Sequence, residues 1–300
     1  MGGNFRLTTS LAGTFDDNVL VQNDGGGTLT GGTWKADSTT TGTASIDLQP
    51  FGGSSGIYTI GQAAIVELTG ANATLVQLSS LNQIDGGLYV NQKTFTPGGL
   101  LSVGSTGTLG GNGTVSGDIL VNGAIQPGAA LGNGVGTLNI NGNISFNSNS
   151  QITLQLSAPL GVENSVFIPA QTRALIDALP DQDPTTQHDS LDVSGALELT
   201  SLMTIHVTDH GATYAYGQYF DLIDFATLSG IGSQIEADAI LDLPDIGSLS
   251  WDTSLFVSKG IIFIVPEPSR GLLLLLGGAA VILCRRRQGA GHRARGEDVA

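Results

Sequence analysis

Apolar and polar residues alternate in short segments along most of this 300-residue chain. The clearest alternating segments are residues 43–48, 65–68, 74–78, 117–121, 137–140, 151–156 and 203–207. A two-residue period places one face of an extended strand in the core and the other face in solvent. Helical periodicity is nearly absent. The pattern therefore predicts an all-β body built from many short strands.

Glycine-rich breaks separate these segments, at residues 24–27, 31–32, 52–53, 85–87, 110–113, 122–123 and 141–142. Asn-Gly and Asp-Gly pairs tolerate the positive φ of tight turns, which explains why they recur there. Strand–turn units of this length fit either a β-sandwich or a parallel β-solenoid. The strands are short and numerous, and no paired long strands indicate simple hairpins. We therefore expect a solenoid with coils of about 20–25 residues.

One segment interrupts the strand pattern and divides the body. Residues 169–180 have Pro at both ends and apolar residues at a helical spacing, so they predict a short helix. The polar residues after them indicate a loop. We divide the chain accordingly, into a β-solenoid at 1–157, a loop and short-helix excursion at 158–190, and a second β segment at 191–264. Within the second segment, Trp251 belongs to an expected terminal strand pair that closes the core.

The charge of the chain argues against nucleic-acid binding. The formal net charge is −15, and charged residues are only 12% of the composition. Before Pro266, 23 acidic residues face five basic ones, and such a body repels phosphate backbones. The single cysteine, Cys284, lies outside the body, so we expect no disulfide there.

Three features follow one another at the carboxyl end. Residues 265–269 read Val-Pro-Glu-Pro-Ser, residues 271–284 are an apolar run, and Arg285, Arg286 and Arg287 follow directly. The prolines stiffen an extended linker. The apolar run predicts a single transmembrane helix of about 21 Å, shorter than the usual ~30 Å hydrocarbon core. The arginines fix its orientation because positive residues stay on the cytoplasmic side.

This order of features resembles the PEP-CTERM sorting signal over residues 265–287. The resemblance implies that Pro266, Glu267 and Pro268 form the sorting motif and that an exosortase, a membrane-embedded processing enzyme, cleaves near it. It also implies a Gram-negative bacterium that makes extracellular polysaccharide or biofilm. The protein is then expected to pass through the inner membrane and to reach the cell surface. Residues 288–300 are expected to form a disordered tail.

A second resemblance covers residues 99–143 of the body. Leu-Gly-Gly-Asn-Gly-Thr-Val at 109–115 and Ile-Gln-Pro-Gly at 125–128 are similar to the passenger-associated repeat of autotransporters. That resemblance implies a right-handed parallel β-helix. No outer-membrane translocator is evident, so the likeness concerns the stalk alone. The chain begins Met-Gly-Gly-Asn-Phe-Arg without the apolar run of a signal peptide, so we expect the start to be truncated or misassigned.

Candidate chemistry is sparse. Asp181, Asp183, Thr185, Asp189 and Asp192 follow an EF-hand-like spacing, but Pro184 intrudes and Thr186 replaces the required Gly. We expect a solvated acidic loop, with calcium binding at Asp181, Asp183 and Asp189 as the alternative. His206 and His210 stand four residues apart at a strand end, where that spacing need not converge on a metal. We identify no catalytic residue and expect no cofactor.

These patterns predict an exported structural or adhesive protein of the cell surface or extracellular matrix, and not an enzyme. Its expected partners are the exosortase, the membrane through the carboxyl-terminal helix, and extracellular polysaccharide. One alternative is a carbohydrate-active β-helix enzyme, which would place two carboxylates close together over a groove. The other is a polysaccharide-binding module with a row of exposed aromatic rings, for which the candidates are Trp34, Tyr58, Tyr89, Tyr214, Tyr216, Tyr219 and Trp251.

Overall fold

The computed structural model describes residues 5–10, 27–39, 42–48, 56–128, 134–157 and 188–266. Strands dominate this part of the chain. In chain order they are β1 (Phe5–Ser10), β2 (Thr28–Asp37), β3 (Thr43–Leu48), β4 (Thr59–Thr69), β5 (Ala73–Leu75), β6 (Gln83–Ile84), β7 (Gly87–Asn91), β8 (Thr94–Phe95), β9 (Leu101–Val103), β10 (Thr108–Gly111), β11 (Thr114–Ser116), β12 (Ile119–Val121), β13 (Ala124–Pro127), β14 (Thr137–Asn141), β15 (Ile144–Phe146), β16 (Gln151–Leu156), β17 (Ser190–Glu198), β18 (Thr204–Asp209), β19 (Tyr219–Asp221), β20 (Ile223–Ser229), β21 (Leu241–Asp242), β22 (Leu249–Leu255) and β23 (Ile261–Pro266).

Helices are short and few in the described ranges. They are a 3-10 helix (Val76–Ser80), α1 (Gln234–Ile240) and α2 (Phe256–Lys259). Helix α1 begins at a capping box, in which the Ser233 side chain accepts from the Glu236 backbone and the Glu236 side chain accepts from the Ser233 backbone. The strand expected at 74–78 is wrong in its second half. After β5 the chain turns into the 3-10 helix, whose three-residue period keeps Leu75 and Leu78 both buried.

Parallel pairing joins most strands into one long sheet in stacked order, an arrangement consistent with a β-solenoid. The pairing follows three ladders. The first ladder is β2, β4, β7, β10, β13, β16, β18 and β21. The second ladder is β8, β11, β14, β17 and β20. The third ladder is β4, β6, β9, β12, β15, β17 and β20.

Successive strands of one ladder are separated by one coil of chain. Thr108 of β10 pairs with Gly87 of β7, 21 residues earlier, and with Ala124 of β13, 16 residues later. The pairing of β14 with β17 bridges 53 residues, because Thr137 pairs with Ser190 across the segment at 158–187. The ladders therefore continue on both sides of that segment, which itself lies outside the described residues.

Aliphatic side chains fill the interior along the whole stack. Buried Leu, Ile and Val from every coil form one continuous cluster, from Leu29 near the first coil to Ile264 near the last. Alternate residues point inward, as in β12, where Ile119 and Val121 are buried while Leu120 is not. This confirms the two-residue period read from the sequence.

Two glycines at the corners between ladders serve close approach and not tight turning. Gly123 and Gly142, in two of the Asn-Gly pairs, do not have the positive φ that a tight turn would need. Instead, a Cβ atom at Gly142 would lie 2.5 Å from the carbonyl oxygen of Gly117 in the preceding coil. A Cβ atom at Gly195 would likewise lie 2.6 Å from the carbonyl oxygen of Gly142. Consecutive backbones therefore meet at these corners with no room for a side chain.

An antiparallel sheet of β19, β23 and β22 stands at the carboxyl-terminal end of the described body. The pairing of β22 with β23 puts Trp251 opposite Ile264 and confirms the terminal strand pair expected from the sequence. Tyr219, Leu255, Ile261 and Phe263 form a separate small core between these strands.

Candidate functional site

The expected sorting motif begins where the last strand ends. Pro266 is the final residue of β23 and is exposed, whereas Ile262, Phe263 and Ile264 before it are fully buried. The strand that leads into the expected motif is therefore firmly attached to the body, since β23 is the central strand of its sheet. Glu267, Pro268, the apolar run at 271–284 and Arg285, Arg286 and Arg287 lie outside the described residues. Among the residues that are described, no helix combines the length and apolar character needed to cross a bilayer.

Asp189, one of the three calcium candidates, is buried, and both of its carboxylate oxygens accept hydrogen bonds from the backbone. One carboxylate oxygen accepts a hydrogen bond from the Gly136 N–H and the other from the Gln155 N–H, both at 2.9 Å. Burial raises the pKa of this carboxyl to about 7, although both backbone bonds act in the opposite direction. The side chain therefore joins three separate segments of the chain. The expectation of a solvated loop is therefore wrong at Asp189, which is buried. Asp181 and Asp183 lie outside the described residues, and calcium binding stays the alternative that was weighed from the sequence.

His188, next to Asp189, is equally buried. Its Nδ1 atom lies 2.9 Å from the Asp189 carbonyl oxygen, and its ring meets Phe220 edge-on with centroids 5.5 Å apart. Burial lowers the pKa of the imidazole to about 4, so the ring is neutral at pH 7. Because the carbonyl can only accept, Nδ1 carries the proton, and Nε2 faces the interior as a base without a partner among the described side chains and backbone.

The two histidines considered as a metal pair lie in different parts of the β18 region. His206 lies on β18 and pairs across the ladder with Asp242 of β21, with Nδ1 2.9 Å from a carboxylate oxygen. His210 follows the end of β18. Within the described ranges, no group of three or more His, Cys, Asp or Glu residues is arranged to hold a metal ion.

The aromatic candidates do not form a row of exposed rings in the described part of the chain. Tyr214, Phe220 and Trp251 pack together edge-on or tilted, with centroids 5.6 to 6.3 Å apart. Tyr219 is buried, and the Trp34 indole N–H donates to the Gly31 carbonyl. Only Tyr58, with 42% of its surface exposed, is a large aromatic ring in open solvent among them.

The outward side of the first ladder carries an in-register polar row that sequence reasoning missed. Lys35, Glu67 and Tyr89 are neighbours on β2, β4 and β7, and the Lys35 ammonium lies 3.2 Å from the Glu67 carboxylate. The Tyr89 ring lies beside Gly110 of the next coil, where a Cβ atom would sit 3.0 Å from it. Burial and the Glu67 charge raise the pKa of Tyr89. Only the pairing register brings these residues together, because they are distant along the chain.

A second row brings two carboxylates side by side. Asp192 on β17 pairs with Asn139 on β14 and with Asp224 on β20, so all three occupy one outward row of the second ladder. Neighbouring strands lie about 4.8 Å apart, which sets the spacing of such residues.

Comparison with known proteins finds no matching family, no similar curated protein and no similar solved structure.

Proposed function

We propose that the chain is an exported structural or adhesive protein of the bacterial cell surface, sorted through residues 265–287. The observation that carries the proposal is the position of Pro-Glu-Pro, which begins at the exposed end of a buried strand. A processing enzyme can reach peptide bonds there without unfolding the body. The apolar run that follows would form the transmembrane helix, and the arginines would hold it with the carboxyl end in the cytoplasm.

The body suits this role as a stalk. Its interior is aliphatic along the whole stack, and its outward rows carry partly exposed polar side chains such as those of Lys35, Asp192 and Asp224. A right-handed coil is the sense we propose, because connections between parallel strands of one sheet are right-handed in the great majority of proteins. The polar rows would face extracellular polysaccharide.

The test of sorting uses a host that has an exosortase and a derivative strain that lacks it. A secretory signal peptide is fused before residue 1, and the chain is produced with and without residues 265–300. We expect the full chain at the surface, with a mature carboxyl terminus near residue 267 by mass spectrometry. Without the exosortase, the uncleaved chain should stay in the inner membrane, and without the tail it should be released.

Two variants separate recognition from simple membrane insertion. Replacing both Pro266 and Pro268 by Ala should leave an uncleaved, membrane-bound chain. Replacing Arg285, Arg286 and Arg287 by Gln should weaken retention in the membrane, because the positive anchor is lost. Full-length, uncleaved protein in the soluble cytoplasmic fraction of both strains would refute the proposal.

A carbohydrate-active enzyme is the second candidate, and the paired Asp192 and Asp224 favour it. Retaining glycosidases place two carboxyl groups about 5–5.5 Å apart, a separation that the ~4.8 Å spacing of neighbouring strands allows. The test is release of reducing ends from the host's own extracellular polysaccharide by the purified body. Activity that disappears in Asp192→Asn and in Asp224→Asn would support this candidate, and equal release by the variants would exclude these residues.

A further inference from the structure

A break separates the first strand of the second ladder, β8, from the separate sheet of β1, β3 and β5. Strand β5 pairs with β3, and β8 pairs with β11, but within the described chain β5 and β8 are not paired with each other. After β5 the chain turns into the 3-10 helix. The two consecutive coils therefore separate on this side of the body, although they are paired on the other two sides through β4 with β7 and β4 with β6.

A cavity of about 350 Å³ opens at this interruption. Its floor is apolar and consists of the core side chains Leu68, Leu75, Leu78 and Phe95, each at most 6% exposed. Hydroxyl groups such as that of Thr74 lie around it, together with one cation, Lys93. This volume lies at the small end of the range of ligand pockets, and a mainly apolar lining with a few polar groups is typical of them.

Lys93 is held at the cavity without an acidic partner. Its ammonium group donates to the Ala71 carbonyl at 3.3 Å, and none of the residues around the cavity is acidic. In the described part of the chain Lys93 makes no ion pair, unlike Lys35, which pairs with Glu67. Burial lowers the pKa of the Lys93 ammonium, which reflects the cost of holding this charge against the apolar floor.

The backbone before Lys93 is constrained as well. Gln92 has a φ of 51°, in the left-handed region that glycine usually occupies, and the corresponding corner of the next coil has Gly111 at a φ of 110°. This conformation is unfavourable for a residue that carries a Cβ atom. The Asn112 side chain stabilises this turn by accepting a hydrogen bond from the Gln92 N–H at 3.2 Å. The corner therefore holds the residue that precedes the cation in one conformation.

We propose that this cavity binds a small organic carboxylate, with its apolar body on the floor of Leu68, Leu75, Leu78 and Phe95 and its carboxylate on the Lys93 ammonium. A single ammonium suits a monoanion, and a charge-assisted hydrogen bond to a carboxylate is about twice as strong as a neutral one. A more heavily hydrated dianion would lose too much solvation against an apolar floor. The inference does not depend on how the protein is sorted.

The test uses the fact that the chain contains three lysines, at positions 35, 93 and 259. The purified protein is labelled with an amine-reactive reagent, and the modification of each lysine is followed by mass spectrometry. The probes are 2-naphthoate and its neutral analogue 2-naphthamide, which share the apolar body and differ in charge. We expect 2-naphthoate to protect Lys93 at concentrations roughly tenfold lower than 2-naphthamide does, while Lys35 and Lys259 label unchanged.

Two variants test whether the charge of Lys93 causes the preference for the acid. Lys93→Gln should bind both probes equally by fluorescence titration, and Lys93→Arg should keep the preference for the acid. The unfolding midpoints of both variants show whether the fold is intact. Equal affinity of the wild-type protein for acid and amide, or an unchanged preference in Lys93→Gln, would overturn the proposal, as would the absence of Lys93 protection at millimolar probe.

Discussion

Replacing Gly142 by alanine tests whether the corners of the stack are as tight as the structure indicates. The new Cβ atom would lie 2.5 Å from the carbonyl oxygen of Gly117 and 2.6 Å from its carbonyl carbon, although real Cβ contacts are essentially never shorter than 3.0 Å. Both contacts are with backbone, so no side chain can rotate away. The two coils must therefore move apart by about half an ångström at this corner.

The hydrogen bonds that flank the corner would be stretched by this movement. The Ile119 N–H donates to the Asn143 carbonyl at 2.9 Å, and the Asn143 N–H donates to the Asp118 carboxylate at 2.8 Å. Overpacking costs about 1–3 kcal/mol, and each weakened hydrogen bond adds up to about 1 kcal/mol. We expect Gly142→Ala to lower the free energy of unfolding by about 2–4 kcal/mol, which would lower Tm by roughly 4–16 °C for a body of this size.

The assay is urea unfolding combined with amide hydrogen exchange, because long repeat arrays can open locally before they unfold globally. The amides of Ile119 and Ile144 should lose protection first, since they are next to the corner. Gly99→Ala is the control, because a Cβ atom there meets nothing within 4 Å, and it should change stability by less than about 0.5 kcal/mol. If Gly142→Ala were as stable as Gly99→Ala, the close stacking of the coils would be refuted.

Three further outcomes are expected. Asn143→Ala removes the oxygen that accepts from the Ala196 N–H and should cost about 1–2 kcal/mol in urea unfolding, whereas Asn147→Ala, which loses an exposed side-chain pair with Asn122, should cost less than half of that. Burial raises the pKa of Asp189 from 3.8 to about 7. The contribution of its protonated side chain to the free energy of unfolding is therefore complete below pH 4 and is lost as the pH rises to 7. Wild-type stability should therefore fall relative to Asp189→Asn by as much as about 4 kcal/mol over that range, and a constant difference would contradict this. Phe220→Ala, in the aromatic cluster with His188, should cost about 3–5 kcal/mol in thermal unfolding, and a loss below 1 kcal/mol would show that the cluster is loosely packed.

The alternation of residues determined which side chains enter the core. The segment at 151–156 was predicted as a strand from its two-residue period, and β16 has those bounds. The segment at 74–78 shows the limit of this reasoning. Its first two residues belong to β5, but Leu75 and Leu78 are three residues apart, a spacing that also fits the period of the 3-10 helix that follows. The Asn-Gly pairs were located correctly as breaks between strands, but their reason was not visible, since a glycine needed for φ and one needed for close approach look alike in sequence.

The candidate sites divide in the same way. Pro266, Glu267 and Pro268 were predicted as a sorting motif from the sequence alone, because a linear motif is made of neighbouring residues. The pairing of Lys35 with Glu67, the burial of Asp189 and the cavity at Lys93 were not predictable. Each depends on which residues of different coils lie next to each other, and the coil length varies from one turn to the next.

The sequence by itself therefore determined the strand period, the aliphatic interior and the acidic net charge, and it predicts the signal at the carboxyl end, because all of these depend on composition or on neighbouring residues. Only the tertiary structure decided the register between coils, through the backbone contacts that the corner glycines permit. A shift of a single residue in that register would reverse the inward and outward faces of a strand, so the polar rows and the cavity exist only in the folded stack.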